Sequence, residues 1–228
     1  MKYSEIFHSI QGEGILTGVP SVFFRLSYCN LRCWWCDTPY TSWKPENKDI
    51  TANEALSMIL KYNCRHVVIT GGEPFLWKEE LIELTNYLRK EQKHITIETN
   101  ATIYHPVQAD LISMSPKLKN STPSAELDLK WAVKHERERI NEEAIKGFLN
   151  NNECQVKFVI SSEADFPEIL EFENRFKLSR ERILLMPEGR TKEEIEQKQK
   201  FLVEYCIQNR YRFSDRLHTR IWGNIRGI

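Results

Sequence analysis

The sequence predicts an α/β fold in which a parallel sheet is rolled into a partial, open β/α barrel. Three observations predict it. Short β-branched or aromatic runs alternate several times with apolar-periodic helical stretches, the pattern of parallel strands joined by right-handed crossovers. The unusual polar motifs each follow directly on an expected strand, where active sites lie in parallel α/β sheets and barrels. The chain has 228 residues, short of the about 250 that eight full β/α units take. No internal repeat, low-complexity tract or linker divides the chain, so residues 1–228 are expected to form a single domain.

The elements follow in order. Val19 to Ser27, with Val22-Phe23-Phe24-Arg25-Leu26, reads as a strand that delivers the chain into a cysteine-rich loop. Before it, Ser9-Ile10-Gln11-Gly12-Glu13-Gly14 reads as a polar, glycine-broken loop. Thr51 and Glu54 form a capping box ahead of a helix running to about Tyr62. Arg65 to Thr70 is a β-branched strand closed by Gly71-Gly72, and Leu81, Leu84 and Leu88 lie on one face of the helix that follows. Ile95-Thr96-Ile97 and Asp110 to Met114 are strands, and the polar segment Lys119 to Leu129 is expected to be a loop. Asn141 to Asn151 is a helix, Val156 to Ile160 a strand, Phe166 to Phe176 a helix and Ile183 to Met186 a strand. Thr191 and Glu194 open a last helix to about Asn209.

With 41% hydrophobic residues the chain can bury a core without covalent staples. Lys+Arg and Asp+Glu both number 32, so there is no net charge to attract nucleic acid or an anionic membrane. The N-terminus carries no signal-peptide apolar core, and no apolar run approaches the roughly 18 residues of a membrane helix. These features predict a cytoplasmic protein. Disulfides are rare there, so clustered cysteines point to metal ligation or catalysis.

Three of the six cysteines fall in Cys29-Asn-Leu-Arg-Cys33-Trp-Trp-Cys36. A structural zinc site wants four ligands, usually from two paired motifs. Cys64, Cys154 and Cys206 stand alone, and each reads as a small buried hydrophobe. A cubane iron–sulfur cluster takes one thiolate per iron, so three thiolates leave one iron open to another ligand. The alternative is zinc completed by His8, His66 or another distant residue.

The spacing C-x3-C-x2-C, with Trp35 before the last cysteine, resembles the radical S-adenosylmethionine (SAM) enzymes. Gly71-Gly72-Glu73-Pro74 is similar to that superfamily's motif for the SAM amino group. On its own it is also an ordinary strand–turn–helix junction with Pro74 at the helix start. Two glycines allow close backbone approach to a ligand, and a carboxylate accepts from an ammonium. The resemblance implies a partial barrel of the radical SAM type, with Cys29, Cys33 and Cys36 holding a [4Fe–4S] cluster. SAM chelates the fourth iron, and one electron cleaves it to a 5′-deoxyadenosyl radical that takes a hydrogen atom from the substrate.

The ordered set IQGEG, Phe24-Arg25, CNLRCWWCDT, ITGGEP, ETN, SPK and Trp222-Gly223-Asn224 resembles one family over essentially the whole chain, 7-carboxy-7-deazaguanine synthase. The resemblance implies conversion of 6-carboxy-5,6,7,8-tetrahydropterin to 7-carboxy-7-deazaguanine with release of ammonia, on the route to queuosine and related 7-deazapurines. It implies SAM contacts from Gly72, Glu73, Glu98, Asn100, Ser115, Pro116, Lys117 and Gln155, with the Met186-Pro187-Glu188 strand end near the adenine. It implies Mg2+ on the Thr38 hydroxyl, where a Thr-Pro turn is the plain alternative; Mg2+ does prefer hard oxygen and few protein ligands. Substrate contacts are implied for Ile10, Gln11, Gly12, Glu13, Thr70 and His218. Arg25 is the expected carboxylate clamp, since a guanidinium suits bidentate capture.

The chain departs from family members that end soon after the tail histidine, because it continues through Asn224 to Ile228. The resemblance further implies an external reductant of flavodoxin or ferredoxin type and a homodimer. Two rivals are a glycyl-radical-activating enzyme, against which the IQGEG loop and Arg25 argue, and a zinc-stabilised interaction or nucleic-acid module, which the neutral charge and the absence of a basic stripe disfavour.

Overall fold

Val22, Phe24, Val67, Ile69, Ile95 and Ile97 are fully buried, and the three runs that carry them lie side by side at the centre of one sheet. The computed structural model describes residues 1–228. In chain order the elements are β1 (Lys2–Ile10), β2 (Pro20–Leu26), β3 (Lys48–Asp49), α1 (Ala52–Leu60), β4 (His66–Gly71), α2 (Lys78–Lys90), β5 (His94–Thr99) and β6 (Leu111–Met114). There follow α3 (Ala125–Glu138), α4 (Glu142–Asn151), β7 (Cys154–Ile160), α5 (Phe166–Phe176), β8 (Ile183–Pro187), α6 (Lys192–Asn209), β9 (Arg212–Phe213) and α7 (Leu217–Trp222). The strand order is β3-β1-β2-β4-β5-β6-β7-β8-β9, parallel from β2 through β9, with β1 antiparallel to both β2 and β3. The sheet does not close, so the fold is the open, partial β/α barrel expected.

Strand alternation divides the two faces. Val22, Phe24, Val67, Ile69, Ile112, Met114, Val156 and Phe158 join the helix layer in a core of 35 buried residues. Leu81, Leu84 and Leu88 of α2 belong to that core, and full burial contributes about 1.5–3 kcal/mol for each. The intervening residues Phe23, Arg25, Thr70, Glu98, Ser113, Lys157 and Met186 turn the other way and line a cavity. The capping boxes of Thr51 with Glu54 and Thr191 with Glu194 both form.

The structure corrects three expectations. Ser9 and Ile10, expected in the loop Ser9–Gly14, belong to strand Lys2–Ile10; the side chains of that strand are irregularly buried, so the sequence lacks a clean alternation. Residues 125–129, expected in a loop, open helix α3 behind an N-cap from Ser124. Leu127, Leu129 and Val133 are exposed and Asp128 breaks the helical dihedrals (φ −166°), so no apolar stripe marks that helix in the sequence. The helix ending at Asn209 is followed by β9 and α7, so it is not the last.

Candidate active site

The cavity has a volume of about 420 Å³ and lies at the carboxyl ends of the parallel strands. It is lined by Cys29, Cys33, Cys36, Thr38, Gly72, Glu98, Asn100, Ser115 and Lys117, and by Ile10, Gln11, Gly12, Glu13, Arg25, Thr70 and His218. Glu73, Pro116 and Gln155 do not line it.

The cysteine loop is held from several sides. Trp34 and Trp35 donate their indole N–H groups to the Asn120 carbonyl at 2.7 and 3.2 Å, and Trp43 donates to the Cys33 carbonyl at 2.9 Å. The Arg32 amide donates to Nδ1 of buried His135 on α3 at 3.0 Å, and the Arg32 guanidinium lies 4.0 Å above the Trp131 ring. The unexpected helix α3 therefore anchors the loop between its first two cysteines. Two sulfurs already accept hydrogen bonds: Cys29 from the Leu31 amide at 3.4 Å and Cys36 from the Ser42 hydroxyl at 3.3 Å. Burial pushes the Cys29 thiol up to about 12, and the Cys33 thiol is likewise raised by burial and then by the neighbouring Cys36 and Cys29 sulfurs. Such thiols ionise only against strong positive charge, which metal binding supplies. No three His, Cys, Asp or Glu side chains converge where a single ion could sit. Three thiols spread along one cavity, two of them with N–H or O–H donors on the sulfur, suit a multi-iron cluster better than one zinc ion.

The Gly-Gly turn lines the cavity and also packs tightly against the chain entering the cysteine loop. A Cβ at Gly72 would stand 1.9 Å from the Tyr28 carbonyl oxygen. Gly72 and Glu73 donate their amides to the carbonyls of Leu26 and Tyr28 at 3.1 and 2.9 Å. Glycine is required so that the end of β4 can close on the chain entering the cysteine loop. Glu73 is fully buried and accepts from the Asn100 amide (2.8 Å), the Thr99 hydroxyl (2.8 Å) and the Phe75 amide (3.1 Å). Burial raises its pKa to about 7 despite those donors. It ties β4 to β5 behind the cavity wall.

Residues from separate motifs meet on Glu98. Its two oxygens accept from Gln11 at 3.1 Å and Thr70 at 2.7 Å. Asn100 bonds to Asn30 in the cysteine loop at 3.0 Å and reaches the Cys29 sulfur at 3.8 Å. Lys117 donates to the Ser115 carbonyl and hydroxyl at 2.7 and 2.8 Å. Gln155 donates to Ser113 at 2.8 Å and accepts from the Ile15 amide at 2.9 Å, so it props the IQGEG loop from behind. The Thr38 hydroxyl lies 3.7 Å from the Cys36 sulfur, on a turn that continues through Pro39–Thr41. Gly12 takes the tail against itself: Leu217 donates to its carbonyl at 2.9 Å, and a Cβ there would stand 1.9 Å from His218 Nδ1.

Four charged groups were not legible beforehand. Lys157 and Arg216 both pair with Glu13, and Arg216 also pairs with Asp37. Burial works to raise the Glu13 carboxyl, but Lys157, Arg216 and His218 together hold it far below the usual range. Burial lowers the His218 imidazole against the pull of Glu13. Glu5 of β1 is paired with Arg25 at 2.7 Å. Lys157 follows Gln155 by two on β7, so it lies on the same face of the sheet, and it alone of the two lines the cavity; this alternation was the one available signal.

Similarity to known proteins agrees with this geometry. The radical SAM superfamily model matches residues 25–120. The chain is 42% identical to the 7-carboxy-7-deazaguanine synthase of Rhodopirellula baltica over 98% of its own length and 87% of the relative's. It is 38% identical to that of Halobacterium salinarum, with 97% and 90% covered. Its fold is similar to the crystal structure of QueE from Escherichia coli, with TM-score 0.69 and 27% identity over 95% of this chain and 93% of that one. The chain belongs to the 7-carboxy-7-deazaguanine synthase family of the radical SAM superfamily.

Proposed function

We propose that the cavity converts 6-carboxy-5,6,7,8-tetrahydropterin to 7-carboxy-7-deazaguanine and ammonia. The observation that carries this reading is the joint lining of one cavity by the three-thiol loop, the Arg25 guanidinium and the IQGEG loop. A [4Fe–4S] cluster on Cys29, Cys33 and Cys36, with SAM on its open iron, supplies the one-electron chemistry that starts the reaction. Asn100, Ser115 and Lys117, at the neighbouring strand ends, offer polar groups to SAM, and Glu73, Pro116 and Gln155 support that wall from outside the cavity.

At the substrate end, Arg25 is our candidate for the substrate carboxylate; its Nε bonds to Glu5 and its two terminal nitrogens bond to no protein atom. Glu13, held ionised by Lys157 and Arg216, suits the N–H groups of a guanine-like ring, which donate to a carboxylate. His218 is kept neutral by burial and presents an imidazole that can accept or donate. The Thr38 hydroxyl provides a hard oxygen for Mg2+, with substrate oxygens and water completing the shell. Residues 1–228 act as one domain, with one large core shared by helices from both halves of the chain. We further assign an external flavodoxin- or ferredoxin-type reductant, a homodimer and a cytoplasmic location on the family likeness; no helix is long and apolar enough to cross a membrane.

The direct test is ammonia release by anaerobically reconstituted protein given SAM, reductant, Mg2+ and carboxytetrahydropterin. Release that depends on all three cysteines supports the reading. Protein with a full cluster that releases none contradicts it.

A further inference from the structure

The six residues after α7 fold back rather than trail away, and all of them line the cavity. Arg226 anchors them. Its guanidinium donates to both oxygens of Glu46 at 2.6 and 2.7 Å, to Glu5 Oε2 at 3.1 Å and to Ser4 Oγ at 2.8 Å, and it lies 4.2 Å above the Tyr40 ring. The other oxygen of Glu5 accepts from Arg25 Nε at 2.7 Å and from Tyr40 at 3.0 Å. Glu5 and Arg25 are direct cross-strand partners on β1 and β2. One carboxylate therefore bridges two guanidiniums, one on the tail and one facing the cavity.

This bridge has a geometric consequence. A guanidinium can turn about its long stem, and fixing Nε leaves one orientation for the remaining fork. The Glu5 bond on Nε thus holds Arg25 with both terminal nitrogens free to grip a second carboxylate. The Arg226 side chain is 40% exposed and that of Glu46 27%, so the tail's anchor is reached by water and can release. Glu5, at 12%, is much better shielded.

We propose that residues 223–228 are a strap that closes the carboxylate end of the cavity, latched by Arg226 on Glu46 and Glu5. Glu5 is the positioning residue that links the latch to Arg25. The identity of the ligand gripped there rests on the carboxypterin reading; the latch itself does not. Opening the strap admits the pterin, and its closure over a ligand held by Arg25 excludes water from the carboxylate contact, which strengthens it.

The test uses reconstituted holoprotein with SAM and no reductant, titrated with 6-carboxypterin, an oxidised pterin that carries the same carboxylate, with amide exchange of residues 223–228 followed by mass spectrometry. Arg226→Ala is expected to weaken 6-carboxypterin about tenfold and to speed exchange of the tail at least as much, with SAM affinity within twofold of wild type. Glu5→Gln should weaken the pterin while pterin lacking the carboxylate binds as before, and Arg226→Lys should recover part of the loss. Equal pterin affinity in wild type and Arg226→Ala overturns the strap's role in binding. If wild type binds no 6-carboxypterin, the substrate reading falls, and tail exchange alone decides the latch: faster exchange in Arg226→Ala supports it and unchanged exchange overturns it.

Discussion

Lys157 and Glu13 stand 144 residues apart and form a buried ion pair inside the cavity, joining the parallel sheet to the IQGEG loop. The pair explains how a carboxylate survives ionised where burial opposes its charge. Removing Lys157 leaves Glu13 with Arg216 alone. Lys157→Met should cost about 3 kcal/mol at pH 7, the low end for a broken buried pair because one cation remains. The sign with pH follows from the direction of the shift. The Glu13 carboxyl is held below its ordinary 4.5, so its contribution is full above that value and is lost as pH falls toward the folded-state pKa. The stability gap between wild type and variant, measured by denaturant unfolding, should therefore shrink below pH 4.5. A gap constant from pH 7 to pH 3 would mean that Lys157 does not hold the charge.

Glu73 gives the opposite slope. Burial lifts it to about 7, so the stability of its protonated form is full below 4.5 and is lost as pH rises through 7. The difference in stability between wild type and Glu73→Gln, in the protein without SAM, should fall from pH 5 to pH 7.5 and level off above. Parallel curves for the two proteins would contradict a raised Glu73.

Gly72→Ala tests the junction between β4 and the cysteine loop. Its methyl would meet the Tyr28 carbonyl oxygen at 1.9 Å, backbone that cannot step aside without moving the loop. The expected cost is about 1–3 kcal/mol, with reduced iron and sulfide bound per chain. Full cluster content at unchanged stability would show that the approach is looser.

Arg25→Ala should weaken the carboxylated pterin by about 30-fold or more, equivalent to about 2 kcal/mol, while slow reductive SAM cleavage persists. The measurement is a binding titration beside 5′-deoxyadenosine formation. Equal affinity in variant and wild type would remove Arg25 from the clamp.

The sheet was legible because its inner strands carry buried β-branched runs such as His66-Val-Val-Ile-Thr70, and the cavity's position followed from motifs at strand ends. Strand β1 was not, since Lys2, Glu5 and His8 interrupt its pattern and its pairing with β2 is a long-range choice. Helix α3 hid behind exposed leucines and a kink at Asp128. At the site, residues inside recognisable motifs could be read one by one. Glu5, Asp37, Lys157 and Arg216 could not be assigned roles, because their partners are set by register and by the returning tail rather than by spacing. The Gly-Gly turn was read as room for a ligand; the tight approach of Gly72 to the Tyr28 backbone is a second demand on glycine that the sequence did not show.

The most direct measurement is mass spectrometry of products from anaerobically reconstituted protein supplied with SAM, dithionite, Mg2+ and 6-carboxy-5,6,7,8-tetrahydropterin. The account predicts 7-carboxy-7-deazaguanine, formed only when Cys29, Cys33 and Cys36 are all present. Cleavage of SAM to 5′-deoxyadenosine by fully loaded protein, with the pterin recovered unchanged, would contradict it.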